Sequence, residues 1–526
     1  MSGEGDVMER VRALGLCLDD AVVTGVSIGL PSADASGRLQ EFSSPFDFER
    51  LFEGLCGISA LPDEDVNLML EKNVVQVRKN EDGVREKYQL SSPEEVIRIA
   101  GRIADFDLAA QHGVPEFILP ALDITFKMAI SVGLEALKHA KIRLERTTAG
   151  KMLLPEELRD STGVIFAASF PVLDSLIEEV SKHLRYKLQK QSTREKVEML
   201  RRISKNVKSQ FPGIAKVILG ELESIERSKE DLSYEFNRKL LFQILVMANS
   251  QLAELIGARG PNVDVNAACA SSSMGIAIAE DWIRVGRASR VIVVGADNVT
   301  SRNMLQYVGT GFLALGAAST KGCAEEAALP FSRKRNGLVL GSGAVGLVIE
   351  SESAAKERDA EILSRILATR IVNSAYHASG IDTKHVTGEL HVLLDRVEKI
   401  HGVKREAFAE NGIYISHETF TCVNGGCAAV EAKALREGFG DETASKLLIA
   451  NTKAFTGHPM GAGIEDAVAV MSLHTGRVPP IPRKADLDEN LGELNISSGG
   501  SHDKFYALRF AAGFGSQCVF IAYGKV

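Results

Sequence analysis

The sequence predicts an α/β fold. Short β-branched runs alternate with helix-length amphipathic stretches through most of the 526 residues, and glycines cluster at the ends of those runs, where tight turns need them. The runs are almost continuously apolar, the mark of buried, largely parallel strands. The first lies at 21–28, and others follow at 163–167, 262–266, 290–295, 343–350, 412–415 and 446–449. Between them the apolar spacing predicts helices over 122–141, 271–284 and 428–439, with another from Ile464 onward. No short-period repeat or low-complexity tract interrupts this order.

Composition narrows the function classes. The chain is 45% hydrophobic and 25% charged, with a mean hydropathy of +0.01. It can therefore bury a large core. A net charge of -8 argues against nucleic acid as the main partner. The longest uncharged run, 303–320, is broken by Gln306, Thr310 and Ser319, so no membrane span is expected. Residues 1–20 mix acidic and basic groups, and no secretion signal is expected there. The seven cysteines (Cys17, Cys56, Cys269, Cys323, Cys422, Cys427, Cys518) are scattered and odd in number, which fits free thiols in a reducing, cytoplasmic setting. Cys422 and Cys427 lack a second pair at zinc spacing, and no metal is expected.

One segment departs from the rest. From Lys182 to Lys208 there are ten Lys or Arg against two acids, Glu195 and Glu198, and 221–235 then turns acidic. It reads either as a solvated helical excursion between two core strands or as a cationic surface that steers an acidic carrier protein.

The chemistry concentrates in three places. Residues 261–275, Pro-Asn-Val-Asp-Val-Asn-Ala-Ala-Cys-Ala-Ser-Ser-Ser-Met-Gly, read as a buried strand, a tight turn of small residues and a helix. Such an elbow exposes Cys269 at the positive end of a helix, where the macrodipole favours thiolate. Cys269 is a candidate nucleophile, with an inert core cysteine as the other reading. His458 lies in the glycine-rich turn 451–463, and His417 follows the strand 412–415. Both thus end short strands, where an α/β sheet gathers its reactive groups. Either alone would read as an ordinary hydrogen-bonded histidine, as His112, His377 and His474 do.

Ala268-Cys269-Ala270-Ser271-Ser272, His417-x-Thr419-x-Thr421, Thr452-Lys453-x-x-Thr456-Gly457-His458 and Gly513-Phe514-Gly515 stand in the order found in β-ketoacyl synthases. In these elements the chain resembles an elongating condensing enzyme of the Cys-His-His type, related to fatty acid and polyketide synthases, from about residue 21 to 523. Pro330 to Gly337 and Gly341 to Ala344 resemble further landmarks of the family.

The resemblance implies a thiolase-like fold of two related halves, each a five-stranded sheet, stacked α-β-α-β-α and usually dimeric. Residues 1–355 would form the half carrying Cys269, with a charged helical insertion near 182–235, and 356–526 the half carrying both histidines. It further implies a decarboxylative Claisen condensation. Cys269 would accept the acyl group, and the backbone N–H groups of Cys269 and Phe514 would form the oxyanion hole. His417 and His458 would hydrogen-bond the extender thioester as it loses carbon dioxide. Lys453 and Glu465 would give electrostatic support, and Thr419, Phe420 and Thr421 would contact substrate. Acyl carrier protein would be the partner, with no metal or redox cofactor.

Several residues depart from the family pattern. Glu418 and Phe420 stand where glycines are usual, Ser342 where an acid is common, Asn266 where Asp is frequent, and Gly515-Ser516-Gln517 replaces the usual ending. Two other readings compete. A thiolase would need a second reactive cysteine, for which only Cys518 is near the right place. A partner subunit would keep the fold without the chemistry.

Overall fold

The computed structural model describes residues 19–31, 48–79, 84–148, 151–228, 233–377, 380–422, 426–482 and 486–526. The expectations for residues 1–18, including Cys17, for 229–232 of the acidic stretch, and for 423–425 between Cys422 and Cys427 fall outside these residues. The described chain forms two compact units: residues 1–171 with 246–526, and Val172–Leu245.

The larger unit is built on ten strands: β1 Ala21–Gly29, β2 Thr162–Ala167, β3 Asn262–Val265, β4 Arg290–Asp297, β5 Gly343–Ser351, β6 Ser364–Asn373, β7 Gly412–Ile415, β8 Leu448–Ala450, β9 Tyr506–Gly513 and β10 Gln517–Gly524. Their spatial order is β8-β7-β9-β10-β6-β1-β5-β4-β2-β3. The first five strands therefore run 3-2-4-5-1, and the last five repeat that order. Orientation repeats as well: in each set the fifth strand is antiparallel to its two neighbours, and the second is parallel to both of its own. The sets meet at a seam of two residue pairs, Val22↔Arg365 and Val23↔Ser364.

The expectation of largely parallel strands is corrected to a mixed sheet. The reason is local at β9 and β10, where only Phe514–Ser516 separates the strands, and so short a connection can join only an antiparallel pair. The expected buried strand before Cys269 is also corrected. β3 lies at the edge of the sheet, and Asn262 and Asp264 face solvent.

Helices cover both sides of each strand set. α1, Ile124–His139, is capped by Asp123, which accepts from the Thr125 N–H at 2.9 Å, and it packs on β1, β4 and β5. α4, Ser271–Arg284, and α7, Ile464–Thr475, are buried between the two sets and touch strands of both. α5, Thr383–His401, and α6, Gly426–Phe439, pack together, with α5 against β6 and β10. Helix, sheet, helix, sheet, helix is the resulting order of layers, an α/β architecture.

The second unit is a helical hairpin. α2 spans Leu173–Val207 and α3 spans Pro212–Ser228, starting at a proline whose missing N–H costs the first turn nothing. Val197, Ser204, Ala215 and Leu222 are buried between them, and the buried Glu179 accepts from the Tyr234 hydroxyl at 2.6 Å. This unit contains the expected excursion near 182–235 and extends beyond it at both ends.

Candidate active site

Cys269 stands in the short turn between β3 and α4. Ala268 takes a left-handed backbone, φ 49°, which turns the chain sharply and sets Cys269 one residue before the helix cap at Ala270. The turn is tied from within: Asn266 Oδ1 accepts from the Ala268 N–H at 3.0 Å, and Ser271 Oγ donates to the Ala268 carbonyl at 2.6 Å. Asn266 thus caps the turn in a role an Asp would also fill, and its amide also donates to the Ser169 carbonyl at 3.0 Å. Cys269 itself is half-buried. Burial pushes its thiol up to about 12 while Lys453 pulls the other way, with Asp297 and Glu465 adding to the rise. The expectation that the helix terminus would favour thiolate at rest is therefore corrected: desolvation outweighs it.

The loop after β8 delivers Lys453 and His458, and the chain after β7 delivers His417. The two imidazole centroids lie 5.7 Å apart at 84°. Both rings are buried and neutral. Burial and then Lys453 lower the proton affinity of each, holding His458 at about 3 and His417 well below its usual range. His417 Nδ1 and both ring nitrogens of His458 are buried without a hydrogen-bond partner among the described residues. Buried polar atoms normally find partners, so unpaired nitrogens on two facing rings mark a place prepared for a ligand.

Lys453 links these groups. It acts on Cys269, His417 and His458 alike, and its ammonium hydrogen-bonds the Glu465 carboxylate in the interior. Burial alone would raise Glu465, but Lys453 and Arg509 hold it down at about 2. Arg509 lies 3.5 Å from Glu465 and 3.9 Å from Asp466.

Close backbone contacts lock the three segments together. A Cβ at Gly513 would lie 2.1 Å from the Ala267 carbonyl, so only glycine lets the β9 end abut the Cys269 turn. Phe514 follows directly, partly exposed, its ring 5.9 Å from that of Phe312. Gly463, at φ 49°, sits where a Cβ would meet Ser272 Cβ at 2.6 Å. Asp297, at the end of β4, accepts from the N–H groups of Ser169 at 2.8 Å, Phe170 at 2.9 Å and Gly461 at 2.7 Å. That carboxyl clamps the His458 loop to the ends of β2 and β4. Despite these donors, burial raises it to about 6.

The remaining candidates divide. Thr419 and Thr421 lie beside His417 with hydroxyls 3.4 Å apart, and Thr419 also reaches Cys427 Sγ at 3.8 Å. Phe420, at φ 65°, is buried among Ile99, Ala327, Ala328 and Val339. Its N–H donates to Glu418 Oε1 at 3.1 Å, so the two departures from glycine support each other's geometry. Glu418 is fully buried, 3.8 Å from Arg335, and burial lifts its carboxyl to about 8. Ser342 bonds the Thr300 hydroxyl at 2.6 Å and Asn298 at 3.0 Å, a neutral link where the family often has an acid. Met304 and Phe312 are both buried.

Sequence reasoning missed Asp297, Arg509, Asp466 and the serines of α4. Ser273 donates to Asp466 at 2.6 Å, and Tyr523 also donates to Asp466, at 3.0 Å. One signal was available: Arg509 is a lone cation inside the otherwise apolar run 506–512, and a buried cation needs a buried acid.

A family model for the β-ketoacyl synthase N-terminal domain matches residues 217–355. The 3-oxoacyl-[acyl-carrier-protein] synthase 2 of Vibrio cholerae is 29% identical over 282 residues, 52% of this chain and 65% of that protein. In sequence the chain is thus similar to β-ketoacyl synthases over these stretches. The aligned stretch spans slightly under two thirds of this Vibrio member's length. In three dimensions a β-ketoacyl synthase from Burkholderia phymatum STM815 superposes with a TM-score of 0.68 over 97% of this chain and 100% of that one, at 17% identity. AntDE:AntF, a type II PKS acyl-carrier protein in complex with its ketosynthase bound to the hexaketide, gives a TM-score of 0.63 over 97% and 99%, at 18% identity. At such identities the superpositions establish the fold.

Proposed function

We propose that the chain catalyses decarboxylative Claisen condensation between an acyl group on Cys269 and a malonyl-type thioester on acyl carrier protein, in fatty acid or polyketide synthesis. One observation carries this reading: two buried, neutral imidazoles, His458 unpaired at both ring nitrogens and His417 at Nδ1, face each other and share Lys453 with the thiol. The 3-oxoacyl-[acyl-carrier-protein] synthase relative and the carrier-bound ketosynthase neighbour support the substrate and partner classes.

The chemistry follows from the side chains. Cys269 Sγ loses its proton as it attacks the incoming thioester carbonyl; a neutral imidazole can accept that proton. The carrier thiol leaves, and the acyl group stays on sulfur. The extender carboxylate then departs as carbon dioxide, leaving its electron pair as an enolate. Neutral His458, with both ring nitrogens unpaired, has one N–H to donate to that oxygen, and His417, whose ring is also bonded to the Ala512 backbone, would present Nδ1 to the same site. The enolate carbon attacks the Cys269 thioester, a carbon-carbon bond forms, and the sulfur leaves with the electron pair. The backbone N–H groups of Cys269 and Phe514 would hold the tetrahedral oxygen, each donor contributing about 10²–10³ in rate. The thioester itself supplies the activation, so the reading calls for no metal or redox cofactor. Thr419 and Thr421 would bind the pantetheine arm, whereas Phe420 would shape the cavity from within the core.

The thiolase reading is weaker. Cys518 is buried in β10 within the hydrophobic core beside Phe510 and Phe520, a poor setting for a second reactive thiol. The deciding experiment supplies acyl and malonyl carrier thioesters and follows carbon dioxide and the β-ketoacyl product by mass spectrometry. Product with stoichiometric carbon dioxide, lost on Cys269→Ala, is expected. Product from acetyl-CoA alone without carbon dioxide would replace this reading with the thiolase one.

A further inference from the structure

We propose that the tip of the helical hairpin, residues 199–220, docks on an anionic lipid surface. This goes beyond the condensing reading and does not depend on it.

The tip has an unusual surface. From Met199 to Gly220 the sequence contains Arg201, Arg202, Lys205, Lys208 and Lys216 and no Asp or Glu. All five cations are exposed. Interleaved with them, Met199 is 51% exposed, Phe211 55%, Ile214 53% and Val217 74%, with Ile203 and Leu219 exposed as well. The hairpin has no need of these apolar groups for its own packing, which uses Val197, Ser204, Ala215 and Leu222. Phe211 sits in the turn itself, its N–H donating to the Val207 carbonyl at 2.8 Å. Large apolar side chains concentrated at a turn, ringed by cations, are what an interfacial segment presents: the apolar groups enter the acyl boundary while Lys and Arg stems reach the headgroups.

Charge selects the occupant. A region of about twenty residues with five cations and no acid is complementary to a surface that is negative over an extended area, and each cation near such a surface adds about as much as a weak hydrogen bond. A second copy of this chain would bring five like charges to the same place. The tip is also remote from the hairpin's base, since 35 residues of α2 rise about 52 Å. No described helix is long and apolar enough to cross a membrane, so the contact would be peripheral.

The test is co-sedimentation of the full chain with vesicles of phosphatidylcholine alone and with 30% phosphatidylglycerol, in low and high salt. Binding to the anionic vesicles only, falling several-fold between 0.1 and 0.5 M NaCl, is expected. Phe211→Ser with Val217→Ser, and separately Arg201→Gln with Arg202→Gln and Lys205→Gln, should each weaken it at least tenfold, while helicity by circular dichroism and condensation with soluble carrier substrates stay unchanged. No partition onto anionic vesicles, or variants that bind as the parent does, would overturn the proposal. So would variants that lose acyl carrier protein binding in solution while the parent ignores lipid, which would assign the tip to the carrier.

Discussion

The two turns that follow the third strand of each set occupy equivalent places and are built differently. After β3 only five residues precede α4, and the turn is rigid, pinned by Asn266, Ser271 and the left-handed Ala268. After β8 thirteen residues intervene before α7, and this longer path carries Lys453 and His458 and is held from outside by Asp297 and Ser272. The short turn holds Cys269, the proposed nucleophile, at a fixed point. The long loop brings an imidazole and its electrostatic support across to that point. The exits of the second strands differ in the same way: β7 leads straight to His417, while β2 leads through Ser169 to the hairpin unit. A repeated strand order thus supplies four equivalent exits, and side-chain choice and loop length decide which hold reactive groups.

Substitutions at these exits should separate the two turns. Cys269→Ala removes the proposed acyl acceptor and should lower condensation by at least about 10⁴-fold while leaving thermal stability nearly unchanged, checked by product mass and a melting curve. A residual rate within tenfold of the parent would mean that the short turn holds no nucleophile. Asp297→Asn weakens the clamp on the long loop rather than the chemistry. It should cut condensation about tenfold to a hundredfold and leave the intrinsic alkylation of Cys269 by iodoacetamide within about threefold. If both fall together, the two turns are not independently held.

The support under the long loop is also testable. Lys453→Met leaves Glu465 buried with Arg509 as its remaining cation among the described residues, and breaking a buried pair costs about 3–5 kcal/mol. A drop of that size in urea unfolding is expected; an unchanged midpoint would show that the pair contributes little. Alkylation of Cys269 should rise about tenfold per pH unit from 7 to 9, because the thiol is held near 12 and the reactive fraction is thiolate. A plateau near pH 7 would restore the helix-terminus expectation.

A pH-dependent effect concerns Glu418. Its folded value of about 8 lies above the ordinary 4.5, so the folded chain holds a proton there that the unfolded chain loses. The stability this contributes is present below pH 4.5 and is lost as pH rises through 8. Glu418→Gln should therefore match the parent near pH 5 and melt higher near pH 8.5. Equal melting curves at both pH values would place the Glu418 carboxyl in ordinary solvent.

Much of this was readable in the sequence where the signal is local. α4 and the start of α7 fall at the residues that apolar spacing indicated, and the seven expected runs lie within about two residues of β1 to β5, β7 and β8, whereas β6, β9 and β10 were not read from the sequence. Cys269, His417 and His458 were picked out by their turn contexts, and the structure gathers them around Lys453. What stayed hidden depends on neighbours in space. That β5 and β10 return antiparallel, and that β3 is an edge strand, are properties of pairing rather than of any one run. Asp297 was invisible because its three donors come from Ser169, Phe170 and Gly461, more than a hundred residues away. Glu418 could be seen as a departure, yet its tie to the Phe420 N–H could not.

The measurement closest to the central claim is a single-turnover comparison of the parent with His458→Ala. One arm follows acyl transfer from carrier to Cys269, and the other follows release of labelled carbon dioxide from the malonyl thioester. If thiol and imidazoles share one cavity with divided roles, acyl transfer stays within about tenfold while carbon dioxide release falls at least about a hundredfold. Equal loss in both arms, or no loss in either, would contradict the account.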